Sequence, residues 1–357
     1  KLIGLFKHRW FKICIFHMDY NYQELISLEN LLKAWQKFYS GKANKKDVIE
    51  FWENLEDNIF NLHNELKSEN YKHGSYEKFL IFDPKKRLIH KAGIKDRIVH
   101  QLIFDYLLPV FEKRFIFDSY SSRINKGTHK AVKKLKEICQ NINNSGKKCW
   151  VLKCDIEKFF NNINHQTLFN FVSKRIDNPK SLKIIKEIID SFEVLPGKGL
   201  PLGNLTSQLF ANVYLHELDY FIKNRLRIKN YIRFNDDFVI VHQSKEFLEN
   251  LIAKIQNFLK DELELNLPQN KIDSRNINWG ADFLGYIILP SGILIRTKTK
   301  RRLLRKINKR IKDYMTNTIS FNNLVQTINS YLGVLKHCSS FKLRQEILDS
   351  IPKQICA

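Results

Sequence analysis

Tyr231-Ile232-Arg233-Phe234-Asn235-Asp236-Asp237-Phe238-Val239-Ile240-Val241-His242 joins two short runs of β-branched and aromatic residues through Asn235-Asp236. This pattern predicts a β-hairpin, because Asn and Asp tolerate turn dihedrals and hydrogen-bond their own backbone. Two adjacent carboxylates between apolar strands repel each other and are costly to desolvate without a cation. A solvated Asp-rich turn is one reading. A divalent-metal site is the other, and it needs a further carboxylate from elsewhere in the chain. Trp150-Val151-Leu152-Lys153-Cys154-Asp155 offers one: an apolar strand ending in Asp155, with Phe159-Phe160 just beyond. Oxygen donors at strand ends, without a His or Cys cluster beside them, suit Mg²⁺ rather than zinc. Two such ions about 4 Å apart can activate a hydroxyl and stabilise the leaving oxygen of an in-line phosphoryl displacement.

An Asp-bearing strand with an aromatic-x-Asp-Asp hairpin resembles the palm of reverse transcriptases. The resemblance implies an α+β right-hand polymerase with an antiparallel palm sheet, basic fingers and a helical thumb. It makes Asp155, Asp236 and Asp237 catalytic and puts metal ligands at Asp155, Ile156 and Asp236, holding two Mg²⁺ for which Mn²⁺ is a substitute. It also implies template RNA, an RNA/DNA hybrid and deoxynucleoside triphosphates as partners.

Composition agrees with a polyanion partner. Lys plus Arg is 60 against 37 Asp plus Glu, a formal charge of +23 over 357 residues, and 43% of the chain is hydrophobic. That is enough for a sizeable core and two or three subdomains, and the charge puts nucleic acid first among ligands. Six scattered cysteines form no C-x-x-C pair, so reduced core thiols in a cytoplasmic protein are expected rather than zinc or a disulfide framework. No run has the length of a membrane span.

Five segments are expected. Residues 1–17, basic and apolar ahead of Met18, read as an N-terminal extension. Residues 18–75 carry helical stripes (Leu25, Leu28, Leu31, Leu32, Trp35; then Val48, Phe51, Trp52, Leu55, Ile59, Leu62). Residues 76–150 read as fingers: a basic hairpin turning at Asp83-Pro84, then the helix opened by Lys95-Asp96-Arg97. By resemblance to group II intron-type reverse transcriptases, Arg87 and Arg97 face nucleotide phosphates or template, for which Arg is suited. A solvated basic hairpin is the alternative. Phe117 to Ala131 resembles the block preceding the palm in bacterial reverse transcriptases; Thr128 is expected to cap the following helix, and Ser122 and Arg123 to position template phosphate.

Residues 151–290 read as palm, with a helical insertion at 166–199. By resemblance, Lys158 and Phe159 cradle the triphosphate through backbone N–H groups, and Phe160 lies beneath the sugar and excludes a 2′-hydroxyl, so DNA is the expected product. Core packing is the competing reading for the Phe pair. Leu202, Gly203 and Gln208 fall in the second palm motif, and Lys271 in the family's lysine motif, where it is the candidate to protonate the leaving pyrophosphate. Phe234 meets the primer end, and Phe283, Leu284 and Gly285 form the primer grip.

Residues 291–357 read as thumb. Leu303, Leu304, Ile307 and Ile311 form an apolar stripe amid Arg302, Arg305, Lys309 and other cations. A helix of one charge sign repels itself without a polyanion, so Arg302, Arg305 and Lys309 are assigned to the template–primer backbone.

Leu202 stands where the family has Gln, Gln208 where it has Pro, and Phe234 where it has Tyr. Leu202-Gly203-Asn204-Leu205-Thr206-Ser207-Gln208 resembles the reverse transcriptases of diversity-generating retroelements, which implies error-prone copying with an accessory protein. The alternatives are a defence enzyme copying its own structured noncoding RNA, and a non-catalytic RNA-binding or splicing-helper protein. No RNase H, integrase or endonuclease pattern is read in the chain, so template removal and insertion are expected from elsewhere.

Overall fold

The computed structural model describes residues 21–83 and 85–349; the predicted extension at 1–17 and Pro84 of the expected turn lie outside them. Four helices come first: α1 (Tyr22–Leu25), α2 (Leu28–Tyr39), α3 (Lys46–Glu53) and α4 (Leu55–Lys67). Ser27 starts α2 by accepting from the Asn30 N–H, which satisfies one of the orphan donors of the first turn. A two-stranded antiparallel hairpin follows, β1 (Glu77–Ile81) and β2 (Arg87–Lys91). Two long helices, α5 (Ile94–Glu112) and α6 (Thr128–Asn144), lead into the central sheet. Gly127, not Thr128, occupies the N-cap of α6, so the predicted Thr128 cap is corrected: Thr128 is already inside the helix.

The central sheet has order β4-β5-β3-β6, all antiparallel, from β3 (Trp150–Asp155), β4 (Tyr231–Phe234), β5 (Asp237–His242) and β6 (Ile272–Asn276). Between β3 and β4 come α7 (Phe159–Asn162), α8 (His165–Ser173), α9 (Pro179–Asp190) and α10 (Leu205–Tyr220); α11 (Lys245–Leu263) joins β5 to β6. Both faces of the sheet are covered at its centre, which is why β3 and β5 read as mostly apolar runs, whereas the edge strand β6 is polar and only partly buried. Leu152, Cys154, Phe238 and Ile240 face a large core with α2, α5 and α8–α11. Val151, Ile232, Val239 and Val241 face α6 and a second core.

That second core includes the three-stranded sheet of β7 (Ala281–Phe283), β8 (Tyr286–Ile288) and β9 (Ile293–Ile295). Leu284-Gly285 turns β7 into β8, and Pro290-Ser291-Gly292 turns β8 into β9, so the segment assigned to the primer grip is part of a three-stranded meander. Three helices, α12 (Thr297–Met315), α13 (Phe321–Leu335) and α14 (Phe341–Asp349), share a third core around Leu303, Ile307, Leu324 and Ile328. The fold is mixed α+β. The four cysteines among the described residues are free thiols, and three are buried. No helix among the described residues is long and apolar enough to cross a membrane.

Candidate active site

The carboxylates converge at one end of the central sheet. Asp155, the last residue of β3, is the cross-strand partner of Asp237, the first of β5. Asp236 lies in the turn between β4 and β5, where Asn235 takes the left-handed region (φ 56) that Asn tolerates. Register between β3 and β5 thus brings together residues separated by most of a hundred positions. The Ile156 N–H donates to the Asp236 carbonyl at 3.2 Å, tying the turn to the end of β3. Asn235 Nδ2 donates to Asp236 Oδ1 at 3.1 Å.

These carboxylates are short of positive charge. Burial raises Asp236 above the usual carboxylate range; its neighbour Asp155 adds to the rise, and Arg87 opposes it. Burial pushes Asp237 up to about 6, against the pull of Lys153 and Lys85, with Asp236 and Asp155 adding to the rise. Lys85 and Arg87 of the β1–β2 segment thus lower the cost of these carboxylates without contacting them. The contacting cation is Lys271, whose Nζ is 3.2 Å from Asp155 Oδ2.

Among the described residues no three His, Cys, Asp or Glu side chains are already gathered as a ligand cage. An oxygen-only set whose charge is only partly compensated nevertheless fits a hard divalent ion that keeps several waters and takes further ligands from substrate phosphates. Asp155 and Asp236 are the side chains that fit it.

Around this end, Lys158 also has a left-handed backbone (φ 45, ψ 41) and forms the N-cap of α7. Phe159 is buried in the main core and Phe160 only partly, so the pair divides between packing and exposure. The Leu202–Asn204 turn is zipped to β2. The His90 N–H donates to the Leu202 carbonyl at 3.1 Å, and Asn204 Nδ2 donates to the His90 carbonyl at 3.0 Å. Gly203 (φ +111) sits where a Cβ would come within 2.8 Å of Ile89 Cγ2. Gln208 is exposed on the first turn of α10, and Phe234 pairs with Asp237.

Three predicted contacts are corrected. Arg97 is turned to the N-terminal helices: it pairs with Asp47 at 2.9 Å, and its guanidinium lies over the Phe38 ring. Arg123 is committed to Glu112 and the Ile116 and Ser119 carbonyls, a structural staple. The Phe283 side chain is fully buried in the second core, which leaves only the Leu284-Gly285 backbone of that turn for a ligand. Of the predicted cations of α12, Arg305 and Lys309 are exposed, while Arg302 reaches Asp83 at the hairpin tip, as does Lys306. Lys309 also lines a cleft of about 780 Å³ between α12 and α13, with Arg310, Asn323 and Tyr331.

Sequence reasoning passed over Arg233, Asp219 and Asn212, which form a fully buried polar cluster beneath the hairpin. The available signal was an Arg inside an otherwise apolar strand.

Comparison with known proteins agrees with this geometry. Residues 72–288, more than half of the chain, match the family model described as reverse transcriptase (RNA-dependent DNA polymerase). Protein YkfC of Escherichia coli is 24% identical over 243 residues, covering 57% of this chain and 64% of its own. The group II intron-encoded protein LtrA of Lactococcus lactis is 23% identical, covering 79% of this chain and 59% of its own. Nuclear intron maturase 3 of Arabidopsis thaliana is 21% identical, over 72% of this chain and 41% of its own. The chain thus spans less than two thirds of the length of these curated relatives. A sheet end with Asp155, Asp236 and Asp237 inside a matched segment of that extent means that the chain belongs to the reverse transcriptase family.

Proposed function

We propose that the protein is an RNA-directed DNA polymerase that makes cDNA from a template RNA by nucleotidyl transfer. The observation that carries this is the meeting of Asp155, Asp236 and Asp237 at one sheet end, within the field of Lys85 and Arg87. In this reading β1–β2 belongs to the fingers, the central sheet is the palm, and α12–α14 form the thumb. Asp155 and Asp236, with the Ile156 backbone, would hold two Mg²⁺. Bound there, the ions would supply Lewis-acid activation of the primer 3′-hydroxyl and charge neutralisation at the pyrophosphate. Arg87 contacts the triphosphate, and the backbone at Lys158 and Phe159 cradles it. Phe160 excludes a ribose 2′-hydroxyl by its bulk. Lys271, held 3.2 Å from Asp155 Oδ2, is the group placed to protonate the leaving pyrophosphate. Phe234 and the Leu284-Gly285 turn hold the primer end, and Arg302, Arg305 and Lys309 the duplex backbone.

The finer role proposed is error-prone synthesis in a diversity-generating retroelement. Leu202 takes a hydrogen-bonding group away from the nascent pair, and Phe234 takes away a hydroxyl, both of which relax selection. A splicing-helper reading draws on the intron-related names of the relatives LtrA and maturase 3.

A primed RNA template, Mg²⁺ and four deoxynucleotides separate these readings. Full-length cDNA from the wild type, a loss of at least about 10³-fold in Asp155→Asn and Asp236→Asn, and unchanged RNA binding are expected. Synthesis surviving either substitution sinks the assignment. Errors concentrated at template adenines support the retroelement role, and accurate or repetitive cDNA supports a defence role. RNA binding without synthesis leaves the splicing helper.

A further inference from the structure

We infer that Arg233 is a positioning residue: its buried guanidinium, clamped by Asp219, holds the backbone of the Asn235-Asp236 turn and thereby aims Asp236. The inference rests on the polymerase reading above. Arg233 is 0% exposed, and so is Asp219. Arg233 Nε donates to Asp219 Oδ1 at 2.7 Å and Nη2 to Oδ2 at 2.6 Å, a bidentate pair. Tyr231 Oη donates to Asp219 Oδ1 at 2.7 Å, completing that carboxylate. The remaining nitrogen, Nη1, donates to Asn212 Oδ1 at 3.2 Å and to the Asn235 carbonyl at 3.3 Å. The backbone of Arg233 is held too: its N–H donates to the Asp118 carbonyl, and its carbonyl accepts from the Tyr120 N–H, both at 2.9 Å.

Energetics argue for a role beyond packing. A buried ion pair is weak evidence of stability, because well-packed apolar residues of similar volume often hold a core as well or better. What no apolar pair can do is donate to the Asn235 carbonyl. That carbonyl belongs to the left-handed residue immediately before Asp236, so a bond to it fixes the peptide that leads into Asp236. Asp219, at the C-terminal end of α10, fixes the guanidinium plane. The plane fixes the turn, and the turn sets where the Asp236 carboxylate points.

The test compares Arg233→Lys and the apolar replacement R233M/D219L with the wild type. Lys keeps the charge pair, but its single ammonium cannot satisfy both carboxylate oxygens and the Asn235 carbonyl at once. Measured are Tm, template–primer affinity, deoxynucleotide KM, kcat, and the Mg²⁺ concentration giving half of the Mg²⁺-induced rise in Tm. Both variants are expected to fold and bind template–primer as the wild type does. In both, kcat should fall by about 10- to 100-fold, as for an ångström-scale misplacement of a reacting group. Nucleotide KM stays unchanged, and the half-saturating Mg²⁺ rises severalfold. A folded variant with wild-type kcat and Mg²⁺ response overturns the inference, and so does failure of both variants to fold, which makes the cluster a folding element. A wild type that binds RNA but synthesises nothing overturns the polymerase reading itself, a result the variants cannot mimic.

Discussion

Asp237 shows how a single residue trades stability for a site. Burial raises its carboxyl to about 6, so folding takes up a proton there between about pH 4 and 6. The stability that this proton contributes is fully present below about pH 4 and is lost as the pH rises through 6; above that, the ionised carboxylate is a burden on the metal-free protein. Asp237→Asn should therefore stabilise the metal-free protein by about 1 kcal/mol at pH 8, after allowance for its partial exposure, and change nothing at pH 4. Urea unfolding at the two pH values measures this, and equal stability of the two proteins at pH 8 would refute it. Lys271 works in the opposite sense, since its ion pair with Asp155 neutralises charge in the same cluster. Asp237 was readable from the turn chemistry of the hairpin, and Lys271 from the resemblance of its motif. Their meeting at one sheet end was not, because Asp155 and Lys271 are brought together only by the folding of the long stretch between them.

At the scale of elements, the junction between β2 and the start of α10 joins the hairpin to the sheet-end site. Asn204 occupies the N-cap of α10 without a side-chain cap, its orientation set by Nδ2 donating to the His90 carbonyl. The turn is thereby sewn to a strand more than a hundred residues away. Gly203 makes this possible through its positive φ and its missing Cβ against Ile89. Gly203→Ala should cost about 2 kcal/mol through strain and steric overlap together. It should also release the β1–β2 hairpin, read as faster amide exchange at His90 than in the wild type. An unchanged exchange rate and midpoint would show that the turn yields without penalty. The three corrected assignments, Arg97, Arg123 and Phe283, share one cause at this scale. Each side chain is turned toward a protein partner (Asp47 for Arg97, Glu112 for Arg123, the second core for Phe283), a direction that sequence spacing does not specify.

Over the whole molecule, the excess of 23 positive charges is unevenly engaged in internal pairing. Asp83 meets Arg302 and Lys306, which brings the hairpin tip to α12, while Arg305 and Lys309 remain exposed. Arg305→Glu with Lys309→Glu should weaken template–primer binding at every sequence. It should also reduce the slope of log affinity against log salt by roughly 0.9 for each phosphate that the protein no longer neutralises. Binding titrations from low to moderate salt check this, and an unaltered slope would remove α12 from the interface. The sequence by itself determined the carboxylate strand, the hairpin, the helical stripes and the basic helix α12, because each rests on local periodicity, turn chemistry or charge. Only the tertiary structure decided that Arg97 faces Asp47 rather than the site, that Lys271 rests on Asp155, and that Arg233 lies fully buried against Asp219. Those outcomes follow from sheet register and helix packing, which set side-chain direction through the meeting of residues far apart in the chain.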